Sequence, residues 1–254
     1  MKGLTLFFME KSFNAWLLIA GAFVTLCLIG SMVKPEAKGV QGFPEILEVS
    51  KLSELSGRSE GIGSASGQMT EKKIALTFDD GPHPVYTPLL LDGLAKRKVN
   101  ATFFITGENA EAYPELVKRM QEEGHLIGNH TYSHIQLTRG NREKFKGELK
   151  KTNEIIEEIT GQGVTYVRPP YGSWDKSFEK ELNMIPVLWS IDPLDWCCDD
   201  AACVVRKVES AAEENAIILL HDSYPSTVTA ALQIVDDLQK QGYVFVTVEE
   251  ILFD

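Results

Sequence analysis

Basic residues are scarce in this chain. Its 25 lysines and arginines face 36 aspartates and glutamates, giving a net charge of −11 and a pI near 5.0. Phosphate backbones are bound through a positive face, so nucleic acid is excluded as a partner. Cysteine is thin as well: Cys27 stands apart, and Cys197, Cys198 and Cys203 crowd one short segment. That spacing is not a zinc-ribbon pattern. Adjacent cysteines rarely bridge each other, so the cluster reads either as incidental thiols or as a bridge from Cys203 to Cys197 or Cys198. Histidine is sparse too, five in 254 residues, so two of them close together stand out. What is plentiful is apolar side chain, 44% against 24% charged, enough for one sizeable core.

The N-terminus departs from the globular pattern. Residues 13–33, "FNAWLLIAGAFVTLCLIGSMV", carry no charge and number 21. That is close to the ~20 residues that cross a ~30 Å hydrocarbon core as a helix. Lys2 and Lys11 precede the run and Lys34 and Lys38 follow it, so charge asymmetry orients it only weakly. No small-x-small site follows, and Leu26 before Cys27 makes a poor lipobox. The expectation is an uncleaved single-pass signal anchor with residues 1–12 in the cytoplasm; a cleaved signal peptide is the alternative. Either way the bulk of the chain is expected outside the membrane. Residues 34–70 are rich in Gly and Ser, with no sustained apolar period, and read as a flexible linker. A coil of that length spans about 30–35 Å root-mean-square, enough to let a tethered domain search nearby polymer.

From residue 71 to 254, short apolar runs alternate with amphipathic stretches. The runs are "KIALTF", "ATFFIT", "HLIGNH", "TYVRPP", "IPVLWSI", "AIILLHD" and "YVFVTV". Stretches such as "NREKFKGELKKTNEIIEEITG" between them have helical apolar spacing and close with Gly or Asn. Alternating strands and helices predict an α/β domain with a parallel sheet. Seven units are short of an eight-unit barrel, so the expected architecture is a closed but irregular (β/α)7-type barrel. Chemistry in such barrels sits on loops at the C-terminal ends of the strands. Asp79 and Asp80, His130, Arg168, Asp192, and His221 with Asp222 all follow strand runs, so five strands deliver polar groups to one rim.

"HTYSH" sets His130 and His134 at i, i+4, which on a helical turn aims both imidazoles to one side and suits a metal; paired surface or capping histidines are the alternative. A carboxylate at the same rim strengthens the metal reading. Two histidines and an aspartate with open positions suit zinc, or less selectively cobalt, manganese or iron. Alternation along a strand keeps Asp79 and Asp80 from pointing alike, so one can ligate while the other stays free to take a proton. A nearby cation offsets their repulsion. In "VRPPYG" two prolines fix the backbone after Arg168, whose guanidinium can clamp a carboxylate bidentately. The Tyr171 N–H is available as an oxyanion donor. "SIDPLDW" and "LLHD" supply Asp192, Asp195, Trp196 and His221. A histidine beside a carboxylate can serve as general acid near neutral pH. Trp196 reads as an apolar wall for a sugar or acyl group, or as core packing. His83 and His125 read as structural.

Over residues 71–254 the chain resembles the polysaccharide deacetylases, carbohydrate esterase family four with a NodB-type catalytic domain. The resemblance rests on "TFDDGP", "HTYSH", "RPPYG", "DPLDW" and "LLHD", in the family's order. It implies Asp79 as catalytic base and Asp80, His130 and His134 as ligands of a divalent metal, zinc first. It implies that Arg168 orients the base, that the Tyr171 N–H helps hold the oxyanion, and that His221 is the general acid, tuned by Asp192. Trp196 and Leu219 would line the acetyl pocket. Asp79-Asp80 keeps both carboxylates, unlike the Asp-Asn of some spore-cortex members. The implied activity is removal of N-acetyl groups from N-acetylglucosamine units of extracellular polysaccharide, peptidoglycan first, by a monomer anchored in a Gram-positive-type envelope. Chitooligosaccharide deacetylation and xylan O-acetyl esterase activity are the enzymatic alternatives, and a silent wall-glycan-binding protein is the non-enzymatic one.

Overall fold

In the computed structural model the described residues are 71–253. The expected cytoplasmic stretch 1–12, anchor 13–33 and linker 34–70 lie outside them. Among the described residues, no helix is long and apolar enough to cross a membrane.

Seven parallel strands carry the domain: β1 (Lys72–Asp79), β2 (Thr102–Ile105), β3 (Leu126–Asn129), β4 (Tyr166–Val167), β5 (Ile185–Pro186), β6 (Ala216–His221) and β7 (Tyr243–Val246). They run in the order β5-β4-β3-β2-β1-β6, with β7 also paired to β1. The helices are α1 (Tyr86–Arg97), α2 (Gly107–Ala112), α3 (Pro114–Glu122), α4 (Arg142–Thr160), α5 (Ser177–Leu182), α6 (Ala201–Ala211), α7 (Pro225–Lys240) and α8 (Val248–Phe253). Helix α4 buries Phe145, Leu149, Thr152 and Ile156 at helical spacing and stops at Gly161, whose φ of 71° suits a residue without Cβ.

β1 is the hub. Its N-terminal half pairs with β7, its C-terminal end with β2, and residues from Ile74 to Asp79 with β6. Its side chains alternate between two cores. Ile74, Leu76 and Phe78 enter the large cluster beneath the helices, with Leu90, Leu94, Val204 and Ile234. Ala75 packs with Phe104, Tyr166, Val187 and Val248 on the opposite, concave face. Thr77 and Asp79 continue that concave face, so a strand buried on both sides ends in an inward-facing carboxylate.

The expected closed barrel is a strongly curved open sheet. β4 and β5 are two residues each, because Pro169, Pro170 and Pro186 have no N–H to extend a ladder. The gap between β5 and β6 is spanned by one bridge, Ile191 to Ile218. There the Leu219 N–H donates to the Ile191 carbonyl at 2.9 Å, and the Ile191 N–H to Ile217 at 3.1 Å.

Candidate active site

The register puts Asp79 beside His221 on adjacent strands. Asp79 is buried, and its Oδ1 accepts from Arg168 Nη1 at 2.7 Å. Arg168 is fully buried. The same Nη1 donates to Thr77 Oγ1 at 2.6 Å, while Nε and Nη2 donate to the carbonyls of Val187 and Leu188 at 3.2 and 3.3 Å. The guanidinium also lies 4.2 Å from the Phe104 ring centroid. The expected bidentate clamp is therefore a single hydrogen bond to Asp79. The other hydrogen bonds go to the Thr77 hydroxyl and two backbone carbonyls, which fix the guanidinium and satisfy its buried N–H groups. Asp79 Oδ2 stays turned to the open side, 3.7 Å from His130 Nε2.

Asp80 takes the left-handed conformation, φ 71°, and so leaves the direction of its neighbour. Its Oδ1 lies 3.4 Å from Nε2 of both His130 and His134. Among the described residues this oxygen is buried without a hydrogen-bond partner. His130 Nδ1 is 2.6 Å from the Arg168 carbonyl, which fixes Nδ1 as the donor and leaves the Nε2 lone pair for the site. The three ligand atoms lie within 4.8 Å of one another. An orphaned carboxylate oxygen facing two imidazole lone pairs is a donor set that fits a divalent cation. Burial opposes the Asp80 charge, but His130, His134 and His221 outweigh it and lower its pKa to about 2. Burial holds His134 below its ordinary value, towards the neutral form a ligand needs.

The two histidines do not meet on a helical turn. Residues 130–139 are irregular, with Thr131 and His134 at φ 63° and 55°, and the rings converge at 4.9 Å between centroids. Asn129 shapes this turn, accepting the Thr131 N–H at 2.7 Å while its amide donates to Leu149 and Asn153 on α4. Nothing in the motif spacing pointed to Asn129.

His221 is held by Asp195. Its Nδ1 lies 2.8 Å from Asp195 Oδ1, and Asp195 Oδ2 accepts both the His221 N–H and the Thr227 hydroxyl at 2.8 Å. Asp192, expected to tune the acid, is exposed and accepts the Leu194 N–H at 2.9 Å instead. Leu194 takes φ 57°, which turns Asp195 inward and leaves Asp192 on the rim. Burial alone would depress the His221 pKa, but the Asp195 hydrogen bond and charge, with the charges of Asp79 and Asp80, raise it to about 9.

Tyr171 sits in a short 3-10 turn at φ 59°, its ring centroid 5.0 Å from that of His134 in an edge-to-face arrangement. Tyr171 and Trp196 are exposed on the rim, whereas Leu219 is buried two residues below His221 on the same strand face. His83 and His125 stay outside the cluster: His83 Nδ1 accepts N–H groups at the start of α1, and His125 Nδ1 accepts the Ala101 N–H. Asp222, expected at the rim beside His221, lies behind the site instead. Asp222 is fully buried, accepts a short hydrogen bond from Thr87, and packs against Gly81, where an added Cβ would meet its Oδ1 at 2.6 Å.

The polysaccharide deacetylase family profile matches residues 66–187. The peptidoglycan-N-acetylglucosamine deacetylase PgdA of Listeria monocytogenes is 40% identical over 182 residues, 72% of this chain and 39% of that protein. A peptidoglycan-N-acetylglucosamine deacetylase of Bacillus cereus is 41% identical over 190 residues, 72% of this chain and 89% of that one. The chain belongs to the polysaccharide deacetylase family. The peptidoglycan deacetylase PdaC structure from Bacillus subtilis superposes with a TM-score of 0.69 at 41% identity, covering 72% of this chain and 90% of that one. The NodB-like α/β fold is therefore shared with an enzyme of known structure. This chain spans about two fifths of the length of the Listeria relative.

Proposed function

We propose that the domain hydrolyses the acetamide of N-acetylglucosamine units in peptidoglycan, releasing acetate and a free amine. The carrying observation is the division of labour at Asp79 and Asp80: one carboxylate is gripped by Arg168, while the next presents an orphaned oxygen to two imidazoles. A silent glycan binder has no use for a base and a carboxylate-paired acid on the same rim. A divalent cation held by Asp80, His130 and His134, zinc first, supplies Lewis acidity and makes water acidic enough to be deprotonated near neutral pH.

The residues of the chain do the proton transfers. Asp79 Oδ2 takes a proton from the attacking water, and Arg168 keeps that carboxylate aimed. The Tyr171 N–H donates to the oxygen on which charge develops. His221 Nε2, protonated because Asp195 holds Nδ1–H, gives its proton to the amine as the carbon–nitrogen bond breaks. Trp196 forms the exposed wall of the sugar site, and Leu219 the buried floor below His221. The charge-free run 13–33 supports a single-pass membrane anchor, with the catalytic domain on the outer face of a Gram-positive-type envelope. The relatives' printed substrates include N-acetylglucosamine and N-acetylmuramic acid of peptidoglycan and chitooligosaccharides.

The test is acetate release from N-acetylated peptidoglycan and from chitooligosaccharides, with and without chelator. Activity is expected to vanish on metal removal and return with zinc; turnover that survives complete removal overturns the mechanism. Asp79→Asn is expected to bind zinc without turnover, and Asp80→Asn to lose zinc.

A further inference from the structure

The loops that carry His134 and Tyr171 continue past the site into a second cavity. They are tied together where Gln136 Nε2 donates to Ser173 Oγ at 3.1 Å. Beyond that bond opens a cavity of about 680 Å³, lined by Leu137, Thr138, Arg139, Arg142 and residues 173–176. Its volume is that of a ligand site. The first lining residues come three positions after His134 and two after Tyr171, so at most ~11 Å of chain separates it from the rim. Its walls are fixed from within. Asn141 accepts the Thr138 N–H at 2.7 Å and donates to the Gln136 carbonyl at 2.9 Å. Trp174 packs on Phe145 and Phe178, and its Nε1–H is buried with no acceptor among the described residues. The charges of Arg142 and Asp175 are already matched: Arg142 pairs with Asp175 and Glu181, and Asp175 also accepts from Ser177. Arg139 and Lys176 remain, one exposed cation from each loop, with no ion pair among the described residues. In a chain of net charge −11, two uncompensated cations lining one cavity favour an anion there.

Resting on the peptidoglycan reading, we propose that this cavity binds the stem peptide on the muramic acid beside the reacting N-acetylglucosamine, with Arg139 and Lys176 pairing its carboxylates. The peptide leaves the glycan through the lactyl group of the neighbouring sugar, so its carboxylates hang to one side of the acetamide being cut. A cationic cavity a few residues along from His134 and Tyr171 is placed to receive them. Guanidinium and ammonium pair with carboxylates, and walls already held in place cost little further ordering on binding. Chitooligosaccharide carries no such charge, so the cavity would favour one polymer over the other without touching the reacting groups. The lactyl carboxylate bared when the peptide is removed is a second source of negative charge, but it fills little of the cavity.

The full zinc-loaded chain carrying Asp79→Asn, which holds glycan without turnover, is titrated calorimetrically with three ligands. They are solubilised strands bearing stem peptides, the same strands stripped of peptide by an amidase, and chitooligosaccharide of equal length. Peptide-bearing strands are expected to bind about fivefold or more tightly than either of the others, with the gap closing at roughly 1 M salt. Adding Arg139→Gln and Lys176→Gln together should close the same gap while leaving chitooligosaccharide affinity within about twofold. Lys118→Gln, an exposed cation on α3, should leave the gap open. Stripped strands that bind as tightly as peptide-bearing ones overturn the peptide as ligand. A gap that survives the double substitution overturns the cavity as its site. Failure of the unsubstituted chain to release acetate from any substrate overturns the deacetylase reading instead, and is measured independently of these affinities.

Discussion

Replacing Asp195 with Asn probes the acid without changing its shape. His221 is raised from 6.5 to about 9 against the opposing effect of burial. At 1.36 kcal/mol per pKa unit, that is about 3 kcal/mol in favour of the protonated ring. The hydrogen bond and charge of Asp195 lead the raising causes, ahead of Asp79 and Asp80. The amide removes that charge. It also carries two N–H donors into a place where Asp195 Oδ2 accepts the His221 N–H and the Thr227 hydroxyl. With the amide oxygen keeping those two donors, its N–H groups face His221 Nδ1, which accepts them only in the neutral ring. Because the folded pKa is raised, His221 stabilises the fold fully below pH 6.5 and loses that contribution as pH rises through about 9. Urea unfolding of the metal-free protein is therefore expected to weaken from pH 6.5 to 9 in the wild type and to change much less in the variant. In the zinc-loaded enzyme the alkaline limb of kcat/KM should move down by about one to two units, with activity at pH 8 falling about twofold to tenfold as the protonated fraction of His221 drops. An unmoved alkaline limb would refute Asp195 as the residue that sets the acid; a shift seen with Asp192→Asn instead would restore the first expectation.

Further expectations follow from the buried charges. Arg168→Met leaves Asp79 buried without its counter-charge, so unfolding measurements should show a loss of about 3–5 kcal/mol, part of it recovered in the double variant with Asp79→Asn. Gly81→Ala drives a Cβ to within 2.6 Å of Asp222 Oδ1. It should destabilise by about 1–3 kcal/mol and weaken zinc binding as the turn carrying Asp80 shifts; unchanged zinc affinity counts against that coupling. Asp222 is raised to about 7, first by burial and then by the Asp80 charge, with the Thr87 hydrogen bond opposing. A raised carboxyl favours the fold at low pH and loses that advantage as pH rises through about 7, so metal-free Asp222→Asn should be relatively more stable at pH 8 than at pH 4. A greater loss at pH 8 would contradict it.

The sequence by itself determined which residues reach the rim and on which strands. Apolar runs such as "KIALTF" and "AIILLHD" end in polar groups, and a parallel sheet collects such ends on one side whatever its curvature. Asp79, Asp80, His130, His134, Arg168 and His221 were legible for that local reason. So were long helices such as α4, where apolar spacing and a closing glycine agree. Only the tertiary structure decided how these groups pair, because pairing depends on contacts between distant segments and on single backbone torsions. Leu194 in the left-handed region sends Asp195 rather than Asp192 to His221, three residues apart in one loop. Asp80 at φ 71° separates its carboxylate from that of Asp79, and irregular backbone rather than a helix brings His130 to His134. The barrel stayed open because β4 and β5 run into prolines, whose missing N–H is written in the sequence but whose place at the sheet's edge is not. Asp222 against Gly81 is a packing choice that no one-dimensional pattern records.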